Sequence, residues 1–83
     1  MNSPLFERLR RIAADVLEVT PRQITESVSS ETMETWDSVH HLNLVLALEQ
    51  EFHLQFEPEE IDDMTSIPSV LVVLDRKLQP PSK

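Results

Sequence analysis

Cysteine is absent from this 83-residue chain, which excludes disulfides, thiolate zinc sites and cysteine nucleophiles together. Glycine is absent too, so a helix ending in left-handed backbone must place another residue there. No apolar run is long enough to cross a bilayer, and stable membrane insertion is not expected. The opening MNSPLFERLRR sets charges directly behind its apolar residues, which is not the order of a secretory signal. A cytoplasmic setting is therefore expected. From Gln23 to Asp75 there is no Lys or Arg, while twelve carboxylates fall in the same span. The seven basic residues are confined to two end segments, Arg8, Arg10, Arg11 and Arg22, then Arg76, Lys77 and Lys83. A field of that sign repels nucleic acid and anionic lipid and attracts basic protein surfaces. Chain length sets a further bound. A domain this small buries only about 60% of its unfolded surface, too little for a deep, water-excluding active site of its own. One domain over residues 1–83 is expected.

What is present is helical periodicity. Ser3 and Pro4 suit a helix start. Leu5, Leu9, Ile12 and Val16 recur at helical steps, with Phe6, Ala13 and Leu17 widening the stripe. Pro21 predicts an end near Val19. Residues 20–36 lack a sustained period and read as a long ordered loop pinned by Ile24, Val28, Met33 and Trp36. Asp37 is a good N-cap for a second helix from Ser38 to about Phe52. Pro58 to Met64 predicts one or two helical turns with Ile61 and Met64 inward. Ser66 then caps a last helix, in which Pro68 sits in the tolerant first turn and Ile67, Val70, Leu71, Leu74 and Leu78 form the buried face. The Val-rich run 70–73 could be a strand, but no second strand is evident for it to pair with. The tail, Gln79 to Lys83, is expected to fray. The fold class is all-α: a small bundle of three main helices plus a short third helix.

The second helix is apolar over too much of its circumference. At about 100° per residue, Leu44, Val45, Leu48 and Phe52 form one face, and Val39, Leu42 and Leu46 extend the arc to roughly 220°, where a surface helix needs only about 100°. Either the helix is central and packed on several sides, or Val39, Leu42 and Leu46 stay partly exposed as a docking patch. In a bundle this small the second reading is favoured.

At the start of this helix stands Thr35-Trp36-Asp37-Ser38-Val39. An Asp-Ser pair alone is usually an ordinary cap. The whole stretch W-D-S-V-H-H-L-N-L-V-L-A-L-E-Q-E-F, residues 36–52, resembles the signature of acyl carrier proteins, in which an Asp-Ser-Leu/Val triplet opens the second helix and A-L-E-x-E-F ends it. The order of elements is similar over nearly the whole chain. The resemblance implies an acyl-carrier-like bundle and a covalent carrier. A phosphopantetheinyl transferase would move 4′-phosphopantetheine from coenzyme A to the hydroxyl of Ser38 with the help of Mg²⁺. The thiol of that arm would hold acyl groups as thioesters. Asp37 matches the residue that caps the helix and lies beside the transferase's metal. Partner enzymes with basic patches would dock on Val39, Leu42, Leu46, Glu49, Glu59, Glu60 and Asp63, with Glu57 and Asp62 nearby, and an acyl chain could insert near Leu48, Phe56, Ile61 and Met64. No metal of its own, no catalytic residue and a monomeric state are expected.

The chain departs from that pattern in places. Thr35 and His53 stand where many members have Gly, although His tolerates left-handed backbone well enough for His53 to end the helix. His40 and Asn43 replace acidic residues early in the second helix, which favours a specialised polyketide, lipid or other secondary pathway at least as much as housekeeping fatty-acid synthesis. An amino-acyl or peptidyl carrier would use the same arm, and an unmodified helical interaction module is a third reading. A Ser38–His41 hydrolytic pair is disfavoured, because neighbouring residues of one helix do not converge as a triad. His40, His41 and His53 lack metal spacing and are expected to be solvated or partner-facing. Trp36 is expected to staple onto the second helix near residues 39–41. Five carboxylates within residues 57–63 predict a mobile short helix.

Overall fold

The computed structural model describes residues 4–78. Its elements are α1 (Pro4–Leu17), a single 3₁₀ turn (Pro21–Gln23), α2 (Ser38–Phe52), α3 (Pro58–Asp63) and α4 (Ile67–Leu78). No strand is present among the described residues; residues 70–73 are helical. Ser3 and the tail from Gln79 lie outside the described residues.

Without glycine, two helix ends take left-handed backbone at other residues. Glu18 (φ 62°) closes α1 two residues earlier than Pro21 alone predicts, and the Val19 N–H returns to the Ala14 carbonyl at 3.0 Å. His53 (φ 57°) closes α2, with the Leu54 N–H on the Glu49 carbonyl at 3.1 Å. Both are Schellman closures that satisfy carbonyls left open at a helix end.

The core joins α1, α2 and α4 through Leu9 and Leu17 of α1, Leu44 and Leu48 of α2, and Ile67 and Leu74 of α4, together with Met64 just after α3, each with no exposed surface. Ile24 and Trp36 of the long loop complete it, as buried as the helical residues. Two details of the expected faces change. On α1 the buried line runs through Phe6, Leu9, Ala13, Ala14 and Leu17, leaving Leu5, Ile12 and Val16 at its edge. On α4, Val73 is buried while Leu78 is exposed.

The long loop is held by more than its apolar pins. Ser30 N–H donates to the Thr65 carbonyl at 2.8 Å, and Ile67 N–H donates to the Val28 carbonyl at 2.9 Å. This antiparallel bridge fixes the loop against the α3–α4 junction. Ser66 caps α4 as its sequence position predicts, its hydroxyl accepting the Ser69 N–H at 3.2 Å. Across the bundle Arg8 joins α1 to α2. It bonds Glu51 at 2.7 Å and lies 4.4 Å over the Phe52 ring.

Candidate functional site

The start of α2 is built as its sequence suggests. Asp37 has extended backbone, and its Oδ1 accepts the His40 N–H at 2.9 Å. Ser38 is therefore the first helical residue, and its side chain is exposed. The amides of Ser38 and Val39 belong to the first turn, which has no intrahelical acceptor for them. Together with the positive end of the helix dipole they favour an anionic group on Ser38 by about 0.3–1 kcal/mol. The site thus fits a phosphodiester in both access and electrostatics.

His40 is half-buried and engaged on two sides. Its Nδ1 lies 2.7 Å from Asp37 Oδ1 and its Nε2 lies 3.5 Å from Glu18, the left-handed residue that ends α1. This corrects the expectation of a solvated or partner-facing ring. Hydrogen bonds from the His40 amide and ring hold the Asp37 carboxyl below its usual range. The bond to Asp37, helped by Glu18, raises His40 above the ordinary imidazole value. A raised histidine contributes stability that is complete below its unfolded pKa and disappears as pH rises through the folded one. Asp37 contributes above its unfolded pKa and loses that contribution as pH falls through its lowered folded value. At mildly acidic pH the protein should therefore melt at a higher temperature than a His40→Gln variant. Melting curves across pH should show the gap closing on the alkaline side of neutrality, and a gap independent of pH would contradict the pairing.

Beside Ser38 lies an open groove of about 430 Å³, bounded by Ser30, Trp36, Asp37, His41, Leu42, Ile61, Asp62 and Thr65. His41 forms part of its wall through a relay that the spacing of residues did not reveal. The indole N–H of the buried Trp36 donates to His41 Nδ1 at 3.0 Å, with the rings stacked at 6.1 Å. The ring proton must then sit on Nε2, which donates to the Ile61 carbonyl of α3 at 2.9 Å. Both ring nitrogens of His41 are thus committed within the molecule instead of to solvent, and it is no base for Ser38. Trp36 does occupy the staple position, but it meets the helix through a polar bond as well as packing.

No protein-family model matches this chain. It is similar to an acyl carrier protein of Thermosynechococcus vestitus, at 29% identity, with 92% of this chain and 94% of the relative covered. It is 30% identical to an acyl carrier protein of Petrotoga mobilis, over 89% of this chain and 87% of the relative. The chain belongs to the acyl carrier protein family. Its architecture agrees: the solution structure of a holo acyl carrier protein from Nitrosomonas europaea superposes with a TM-score of 0.79. That match has 26% identity and covers 92% of this chain and 98% of the other. Family membership implies a phosphopantetheine arm.

Within this acyl carrier protein the residues singled out by resemblance fall into three groups. Val39, Leu42 and Leu46 are 65%, 56% and 55% exposed, so the surplus apolar arc of α2 does face solvent. Glu59 and Asp63 are exposed as well. Glu49 and Glu60, by contrast, are used inside the molecule. Glu49 Oε2 accepts the Phe56 N–H at 2.9 Å. Glu60 Oε1 accepts the Glu57 N–H at 2.7 Å and lies 3.0 Å from Lys77. The Glu57 amide, with Lys77 behind it, holds the Glu60 carboxyl below its usual range. Tethered by these bonds and by His41, α3 is more firmly held than its run of carboxylates suggests. The third group is the expected acyl cavity. Leu48, Phe56 and Met64 are closed into the core, and only Ile61 reaches the groove beside Ser38. Thr35 carries a buried hydroxyl with no hydrogen-bond partner among the described residues.

Proposed function

We propose that Ser38 bears the 4′-phosphopantetheine arm, received from coenzyme A through a phosphopantetheinyl transferase and Mg²⁺. The chain then carries acyl intermediates as thioesters between enzymes of fatty-acid, polyketide or related specialised biosynthesis in the cytoplasm. The observation that carries this reading is the exposed hydroxyl of Ser38 on the first residue of α2, capped by Asp37. The arm supplies the thiol that a chain without cysteine lacks, so the reacting group belongs to the arm and the catalysis to the partners. Incubation of the apo-protein with coenzyme A, Mg²⁺ and a broad-specificity transferase should add one phosphopantetheinyl group to the intact mass. A mass unchanged by several transferases would favour an unmodified interaction module instead.

Docking would use the exposed apolar patch Val39, Leu42 and Leu46 together with the exposed carboxylates of Glu59 and Asp63. Reversing the charge of Glu59 and Asp63 together should weaken capture by a partner with a basic patch. The loss should shrink at high salt, as exposed charges are screened. Titration of the fluorescently labelled holo-protein against such a partner checks this, and equal affinity before and after reversal would point to another surface. Reversing Glu60 should instead lower stability, because its carboxylate holds Lys77 and caps α3.

A further inference from the structure

The outer face of α4 carries an apolar ridge with a groove on each side. Val72, in the middle of the helix, is 60% exposed, and Pro68, one turn earlier, is exposed as well. On one flank a groove of about 360 Å³ lies between α4 and the long loop, lined by Glu26, Pro68, Leu71, Val72 and Asp75. On the other flank a groove of about 330 Å³ lies towards the end of α3, lined by Asp63, Ser69, Val72, Val73 and Arg76. Neither shares a residue with the groove beside Ser38. A single exposed valine is ordinary on a protein surface. A valine that divides two grooves is different, because side chains of a crossing helix can drop in on both sides of it, ridge into groove.

The charge around the ridge says which kind of helix fits. Glu26 of the loop and Asp75 of α4 line the first groove, and Asp63 lines the second. Arg76 is the one cation among the described residues that line either groove. A second copy of this chain, with a net charge of -8, would be repelled, and so would an anionic membrane. A helix with a row of aliphatic side chains edged by Lys or Arg meets both the apolar floor and the acidic rim.

We propose that the outer face of α4 is a second docking surface, which binds a basic amphipathic helix of a partner protein across Val72. Held there, the protein keeps Ser38 and the exposed patch of α2 free for other partners. Binding at α4 needs no arm, so its failure would leave the role of Ser38 untouched.

The test uses the full chain with labelled methyl groups and, as probe, a synthetic helical peptide of leucine and lysine with one apolar face. The peptide should move the NMR signals of Leu71 and Val72, and added salt should weaken the effect. The same peptide with glutamate in place of lysine should leave those signals where they are. Val72→Ser keeps the charge of the face and should weaken binding, read at Leu71, by about fivefold or more. Glu26→Gln with Asp75→Asn should also weaken binding, and these keep the proposal testable if the serine variant fails to fold. Leu46→Ser on α2 and Ser38→Ala should both bind at α4 as the wild type does. Shifts confined to Val39, Leu42 and Leu46, equal binding of the glutamate peptide, or a folded Val72→Ser that binds as tightly would overturn the proposal. So would concentration-dependent shifts at Val72 without peptide, which would make a second copy the occupant. Binding seen only in a chain ending at Leu78 would overturn it too, because residues 79–83 would then be what covers this face.

Discussion

Ser38→Ala is expected to abolish acceptance of the arm completely while leaving the fold as it is. The side chain is exposed and makes none of the hydrogen bonds that hold the start of α2; those come from Asp37 and its neighbours. Alanine is the strongest helix former, and a surface change of this kind shifts stability by no more than about 0.5 kcal/mol. Two measurements on one sample separate chemistry from folding: intact mass after treatment with coenzyme A and a transferase, and the thermal melt. An unchanged melt with no added mass is the expected pair. Continued modification of the alanine variant would mean that another hydroxyl is used, and Ser30 and Thr65 line the same groove.

Trp36→Ala is expected to have the largest effect on stability among changes near the site. The indole is 3% exposed and packs into the core just ahead of Ser38. Truncating a buried Trp typically costs about 3–5 kcal/mol. At about 0.05–0.15 kcal/mol per residue, a chain of this size has only about 4–12 kcal/mol in total. A large part of that margin would go, and with it the orientation of His41 and the tie to α3. Trp36→Phe should cost less, about 1–2 kcal/mol, because it keeps a ring in the core and mainly strips His41 Nδ1 of its donor. Urea titrations of the two variants check the order. Wild-type stability in Trp36→Ala would show that the loop is anchored elsewhere.

These two residues also mark how far the sequence could be read. The bounds of α2 follow from local chemistry: a capping aspartate, an unbroken apolar run, and a histidine able to turn left-handed. All three act within a few residues of the place they determine, and the structure has the helix at Ser38–Phe52. The exposed patch of Val39, Leu42 and Leu46 was legible for a similar reason, since a helix in so small a bundle cannot bury two-thirds of its circumference. What stayed hidden depends on partners distant in the chain. His41 meets Ile61 twenty residues away. Glu60 meets Lys77, and Arg8 meets Glu51. Nothing in the periodicity of α2 distinguishes a histidine aimed at water from one aimed at a carbonyl of another helix. The carboxylates of residues 57–63 look alike in sequence, yet Glu60 is turned inward while Glu59 and Asp63 face out. The face of α4 differs from its period as well: Leu78 keeps the period and is nevertheless exposed, while Val73 is buried.

Carrier function depends on the attachment point. Proteolysis of the wild-type protein after loading, followed by fragmentation of the modified peptide, locates the arm to a single residue. It should be found on Ser38, at the first turn of α2, in every modified molecule. An arm on Ser30, Thr65 or any other hydroxyl would contradict the account.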